Sequence, residues 1–326
     1  MKITAPHLAA LAVAAIDGLE AVGTRGPFQT GTDFITGTII DTHGRDWLVK
    51  YPLNSLAATA LEAEAALAPE LLQELRLTNL PFDIMRPAGF TKVQTGRAVI
   101  YSEPFGTPLD FNNMTAHEAR AFARALAAIH SLPPTVIEQA GLPSYTSSEW
   151  RERLLAELTD ADHETDIPVI LRRRWEDILN ETSLWDFTPC VVHGDLAGEN
   201  FLWSNTQIST VIGWGEAHVG DAAQDLAPLL SLPDDILLPI LSSYENTRGI
   251  TLDNAMRTRA IFMNEFSLLR WLMYGIHTDN SDVRNEATDM INDLADQIAL
   301  DPDLAPGPAW PIEVDENSIV PPTNNL

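Results

Sequence analysis

His193-Gly194-Asp195 is followed five residues later by Asn200, and the chain then runs through Gly220-Asp221 to Asp225. A carboxylate behind a glycine that permits a tight loop is placed to take a proton from a hydroxyl. An amide oxygen such as that of Asn200 is a hard ligand suited to an ion like Mg2+. The elements around these residues are short. Cys190-Val191-Val192 reads as a strand leading into the loop, Phe201-Leu202-Trp203 as a second strand, Asn205-Thr206 as a turn and Ile208 to Ile212 as the returning strand. Gly213-Trp214-Gly215-Glu216 follows, then a turn at Gly220-Asp221 and a helix starting at Asp225.

This stretch resembles the catalytic core of the aminoglycoside and macrolide phosphotransferase family, small-molecule kinases related to protein kinases. The family pattern is H-G-D-x-x-x-x-N, a hairpin, I-D-[WF], then G-D-x-x-x-D-L. The chain is similar to it at His193, Gly194, Asp195, Asn200, Ile212, Trp214, Gly220, Asp221, Asp225 and Leu226. The resemblance implies an α+β, bilobal protein-kinase-like fold: a small lobe with an antiparallel sheet plus a helix, and a large, mostly helical lobe. It implies ATP (or GTP) and Mg2+ as cofactors. The acceptor would be a hydroxyl of a small molecule: an antibiotic, a sugar or a related metabolite.

Phosphoryl transfer is mostly positioning and charge neutralisation. On the resemblance, Asp195 is the base, His193 braces its loop and Asn200 is a metal ligand. Lys50, closing the run Trp47-Leu48-Val49, is similar to the strand lysine that contacts nucleotide phosphates. Glu64 is its orienter and Glu62 the alternative; the two point to different sides of a helix. Gly31 and Thr32 open a strand–turn–strand unit that resembles the nucleotide loop, and Tyr101-Ser102-Glu103-Pro104 resembles the hinge, which makes Glu103 a candidate beside the base. One departure bears on activity. The acidic residue expected between Ile212 and Trp214 is Gly213, and in kinases that carboxylate holds the phosphate-bridging Mg2+. Removing one preorganised electrostatic group costs about 10²–10³ in rate. Three readings stand: a degenerate kinase that still binds nucleotide, a regulatory pseudokinase in effect; Glu216 reaching back to the metal; or a metal held by Asn200, Asp195 and water. Glu216 also reads simply as an acidic position lining the loop.

Elsewhere the pattern is of alternating strands first and helices later. Leu8, Leu11, Ala15 and Leu19 share a helical face; Phe34 to Ile40 and Asp46 to Tyr51 read as strands about a His43-Gly44 turn. Ala57 to Leu75 reads as a helix, and Pro81 to Phe90 and Arg97 to Tyr101 as further strands. Thr115 with Glu118 makes a capping box for a helix ending at His130, where a cation is favoured. Ser147 to Leu158 and Ile170 to Asn180 read as helices, with Asp160 to Asp166 a solvated loop and Arg172-Arg173-Arg174 a solvated face. Leu237 to Thr247, Asn254 to Tyr274 and Asp282 to Leu300 complete the helices. The resemblance implies that such helices wall the acceptor site, which makes Glu265 a candidate polar contact there. The expected organisation is a nucleotide-binding lobe over 1–102, a catalytic and acceptor-binding lobe over 103–300 and a Pro-rich extended tail over 301–326.

The 326 residues, 45% of them hydrophobic, suffice for two lobes around a cleft. Cys190 is the one cysteine, so no disulfide forms within the chain, which fits a cytoplasmic location. A net charge of −26 argues against a nucleic-acid partner and suits a cationic acceptor. Leu8 to Ile16 is short and is followed by Asp17 and Glu20, which reads as an amphipathic helix rather than a signal segment, and no apolar run reaches membrane-spanning length.

Overall fold

Alternation along the N-terminal strands builds a sheet buried on both faces. The computed structural model describes residues 3–305. Helix α1 (Ala5–Ala15) is followed by β1 (Ala21–Thr30), β2 (Phe34–Asp41), β3 (Asp46–Pro52), α2 (Ser55–Arg76), β4 (Asp83–Ile84), β5 (Pro87–Val93) and β6 (Gly96–Ser102). Five of these strands form an antiparallel sheet in the order β1-β2-β3-β6-β5. Ile35, Ile39, Trp47 and Val49 point to one face and bury Leu8 and Ala12 of α1. On the other face Val99 and Tyr101 pack with Leu61 of α2, and Leu48 joins them. Period-two alternation therefore sends Lys50, two residues after Leu48, toward α2.

The rest of the chain is mostly helical. It runs through β7 (Thr107–Pro108), α3 (Ala116–His130), α4 (Thr135–Gln139), α5 (Ser147–Glu164), α6 (Val169–Asn180), β8 (Cys190–Val192), β9 (Phe201–Ser204), β10 (Gln207–Val211), β11 (His218–Gly220), α7 (Ala223–Leu226), α8 (Asp234–Arg248), α9 (Asn254–His277) and α10 (Ser281–Leu300). The capping box expected at Thr115 is formed, and a second, at Thr146 with Glu149, starts α5. Trp150, Leu154, Trp175, Phe262 and Phe266 form a core shared by α5, α6 and α9. The fold is α+β: an antiparallel sheet with flanking helices, then a mainly helical body. No helix among the described residues is long and apolar enough to cross a membrane.

Several expectations are corrected. The strand expected over Pro81 to Phe90 is two strands: β4 leaves the first sheet and pairs in parallel with β10, Thr210 opposite Asp83, in a second sheet ordered β4-β10-β9-β7. Strands β1 and β11 were not expected; both are short of the apolar alternation that marks a strand. Most of the acidic stretch expected as a loop, Asp160 to Glu164, is the last turn of α5, because Leu158 and Ala161 bury one face of it. Helix α7 starts before Asp225, which lies inside it. Arg174 is no solvated side chain: it pairs with Glu265 and donates to the carbonyls of Pro302 and Leu304. Those bonds dock the start of the expected tail; its remainder, residues 306–326, lies outside the described residues.

Candidate active site

Buried strand β8 delivers the chain into His193-Gly194-Asp195, and a buried carboxylate from α7 fixes that loop. Asp225 Oδ2 accepts the His193 backbone N–H at 2.7 Å and Oδ1 accepts that of Gly194 at 2.9 Å. His130, at the end of α3, presents Nε2 to Asp225 Oδ2 at 3.0 Å and Nδ1 to the Tyr244 hydroxyl at 2.6 Å. A carboxylate only accepts, so His130 Nε2–H donates to Asp225. Burial works to raise the Asp225 carboxyl, but the hydrogen bond and charge of His130, with help from His193, hold it below the usual range. His130 is thus a fully buried link of this chain, and its place at a helix end is incidental. Gly194 has φ +84°, and a Cβ there would lie 2.3 Å from the carbonyl oxygen of Glu216, so only glycine fits.

His193 is wholly buried, its ring 4.9 Å from that of Trp214 and 5.7 Å from that of Phe201. Its Nε2–H donates to the Ile212 carbonyl at 2.9 Å, tying the end of β10 to the loop. The ring does not line the cavity of about 1070 Å³ between the first sheet and the helices, whereas Asp195, which is exposed, does. Asn200 Nδ2 donates to the Asp195 backbone carbonyl at 2.9 Å and to Oδ2 at 3.1 Å.

Lys50 Nζ stands 3.3 Å from Glu64 Oε2, both side chains nearly buried and both on the cavity wall. The expected pairing is therefore made geometrically, and Glu62 is occupied elsewhere, its Oε1 accepting from Arg97 Nε at 2.7 Å. Glu216 also lines the cavity. Although its side chain is open to solvent, the enclosing walls, and after them the neighbouring Asp195 carboxylate, hold its carboxyl above the usual range. Gly31, Thr32 and Glu103 do not line this cavity. Gly31 N–H closes the β1–β2 turn on the Phe34 carbonyl at 2.9 Å, and Glu103 accepts from Thr38 Oγ1 at 2.9 Å on the edge of β2. From that turn it is Asp33 that reaches the cavity. Its Oδ1 accepts from Asn54 Nδ2 at 2.9 Å and from the Tyr274 hydroxyl of α9 at 2.7 Å, linking sheet to helical body.

The far wall comes from α5 and α9. Trp150 stacks on His218 at 4.9 Å, Arg270 lies over Trp150 and Phe266, and Glu157 bridges Arg153 at 3.0 Å and Arg270 at 2.9 Å. Glu265, the expected acceptor contact, is instead buried, accepting from Trp175 Nε1 at 2.9 Å and pairing with Arg174. Seven Asp and Glu side chains line the cavity against one Lys and two Arg, a balance that favours a cation. Arg153, Glu157 and Arg270 escaped the sequence reading because an Arg and a Glu four residues apart on a helix look like a solvated pair.

Among the described residues no cluster of three or more His, Cys, Asp or Glu side chains is able to hold a metal ion. Mg2+ needs no such cluster, since it takes one or two carboxylates with waters and substrate phosphates. Both side-chain hydrogen bonds of Asn200 leave from Nδ2, and its Oδ1 accepts none from the described residues. Asn200 lies buried behind the cavity wall, bonded to Asp195, while Asp195 and Glu216 line the cavity itself; the donors present are hard oxygens and fit that ion.

Three solved or curated proteins illustrate what the chain is similar to. It is 30% identical over 140 residues to viomycin phosphotransferase of Streptomyces vinaceus. That match takes in 38% of this chain and 46% of the relative, so it spans about half the curated protein's length. Among structures, a type I macrolide 2′-phosphotransferase superposes with a TM-score of 0.72 at 24% identity, covering 89% of this chain and 99% of that one. The macrolide 2′-phosphotransferase MphH from Brachybacterium faecium gives a TM-score of 0.67 at 22% identity, covering 84% and 94%. These similarities establish the kinase-like phosphotransferase fold. The model of the phosphotransferase enzyme family matches residues 27–260, and the chain belongs to that family.

Proposed function

We propose that this protein transfers the γ-phosphoryl group of ATP or GTP to a hydroxyl of a small cationic molecule, with Mg2+ as the charge-neutralising ion. The observation that carries the reading is the convergence of Asp195 and the Lys50–Glu64 pair on one acid-lined cavity. A bond forms between the acceptor oxygen and the γ-phosphorus while the bond from that phosphorus to the β–γ bridging oxygen breaks, and the nucleoside diphosphate leaves. Asp195 Oδ1 takes the acceptor's proton, Oδ2 being held by Asn200. Lys50, oriented by Glu64, neutralises non-bridging phosphate oxygens. Mg2+ would be held by Asn200 and Asp195 with Glu216 in reach, and when bound it stabilises the charge gathering on the phosphates. The acceptor lies against Trp150 and the carboxylates of α5. Kanamycin and GDP are bound by one structural neighbour (TM-score 0.64, 19% identity, 85% of this chain and 93% of that one), and an aminoglycoside or a basic peptide antibiotic suits this wall. The single cysteine and the nucleotide requirement support a cytoplasmic location.

Gly213 favours a second reading, a nucleotide-binding pseudokinase. The test is ADP or GDP release measured across macrolide, aminoglycoside and basic peptide acceptors. Acceptor-dependent release that is lost in Asp195→Asn supports transfer. Nucleotide binding with no release for any acceptor supports the pseudokinase.

A further inference from the structure

Gly213 removes a carboxylate, and the structure shows what fills the space. Gly213 lines the cavity in the left-handed region, φ +79°. A Cβ built on it would lie 2.5 Å from Asn200 Oδ1, 2.7 Å from Asn200 Cγ and 2.9 Å from Asn200 Nδ2. An aspartate at this position would carry its carboxylate oxygens one carbon beyond that Cβ. Asn200 Oδ1 therefore sits within the reach such an oxygen would have. Asn200 is 7% exposed, and it is held in place from three sides. Its Nδ2 is bound to Asp195 O and Oδ2, its carbonyl accepts Ile212 N–H at 2.9 Å, and its own N–H bonds Ala197 O at 3.0 Å. The one polar atom of this side chain left without a partner among the described residues is the one lying against the bare Cα of Gly213.

We infer that Gly213 and Asn200 are a coupled pair: the glycine admits the Asn200 amide into the place of the missing carboxylate, and Asn200 Oδ1 is the protein's leading ligand for the nucleotide's divalent ion. The inference rests on the phosphotransferase reading and concerns how this chain, lacking the usual acid, keeps a metal site. It makes glycine a requirement at position 213. Any side chain there must displace the Asn200 amide, and the hydrogen bonds to Asp195 oppose that displacement.

The test is calorimetric titration with a non-hydrolysable ATP analogue, in Mg2+ and in EDTA. It compares the wild type, Gly213→Ala, Asn200→Ala and the Gly213→Asp, Asn200→Ala double variant. Mg2+ should tighten binding to the wild type by about 10- to 100-fold, the range over which metal affinity responds to its supporting groups. Both single variants should lose most of the Mg2+ gain, each measured against its own binding in EDTA. The double variant should recover it, because the new carboxylate enters the space that Asn200 vacates; a merely structural asparagine would not be rescued. Full retention of the gain in Gly213→Ala overturns the inference, as does wild-type binding that ignores Mg2+. If Gly213→Ala does not fold, Asn200→Ala and its rescue decide. Failure of the analogue to bind at all, even in EDTA, overturns the proposed function and this inference with it.

Discussion

Replacing Asp225 by Asn should cost the protein a large part of its stability while changing the shape of one side chain hardly at all. Asp225 is 1% exposed and serves three donors: two backbone N–H groups of the His193 loop and His130 Nε2. An amide has one accepting oxygen, so in Asp225→Asn the new NH2 must face a donor that it cannot satisfy. Each buried donor left unmet costs about 1–3 kcal/mol, with more for bonds to a charged group, and breaking a buried charged network costs about 3–5 kcal/mol in total. A loss of about 3–5 kcal/mol is a large share of the 5–15 kcal/mol that holds a typical fold. Because the Asp225 carboxyl is held below its usual range, its contribution is complete above the unfolded value, about 4, and is lost as pH falls through the lower folded value. Urea denaturation at pH 7 and at pH 3 measures both points: the difference between wild type and variant should be full at pH 7 and reduced in acid. A difference under about 1 kcal/mol at pH 7 would refute the anchoring role assigned to this carboxylate.

Other perturbations have definite outcomes. Arg259 Nε pairs with buried Asp221 Oδ2 at 2.6 Å, so Arg259→Met strands a charge and should lower unfolding free energy by about 3–5 kcal/mol, read by urea denaturation. Tyr274→Phe removes the hydroxyl that spans from α9 to Asp33. It should cost only about 0.5–1.5 kcal/mol of stability while raising the acceptor KM in steady-state assays, and an unchanged KM would mean the link does not shape the cavity. Gly194→Ala would push a Cβ to within 2.3 Å of a backbone oxygen at positive φ. The variant should lose activity and melt well below the wild type in calorimetry.

How much of this was legible in the sequence depends on where each partner lies. Asp195 and Asn200 are five residues apart in one loop, and Lys50 and Glu64 lie on a strand and the helix that directly follows it. Each pair is therefore local enough to be read from the family motifs the chain resembles, and it is the resemblance, rather than periodicity, that chooses Glu64 over Glu62. Capping of α3 by Thr115 and Glu118 is local as well. The bond from Tyr274 to Asp33 joins positions 241 apart, and the His130–Asp225 contact joins positions 95 apart; composition and periodicity carry no signal for either. Glu265 shows the converse error. The resemblance places its helix at the acceptor wall and so suggests a ligand contact, whereas Trp175 and Arg174 on another helix claim it. The β4 strand was misassigned because a strand of only Asp83 and Ile84 is too short for alternation to say which edge it joins, and here the edge belonged to β10.

The central claim is phosphoryl transfer to a cationic acceptor with Asp195 as base. The most direct measurement is mass spectrometry of a kanamycin-type acceptor incubated with ATP or GTP, Mg2+ and the wild type, beside Asp195→Asn. The account predicts an acceptor heavier by one phosphoryl group with the wild type, reduced about 10²-fold or more in the variant. Equal product from both proteins would contradict the role of Asp195, and unmodified acceptor across the whole cationic panel, with nucleotide bound, would contradict the transfer itself.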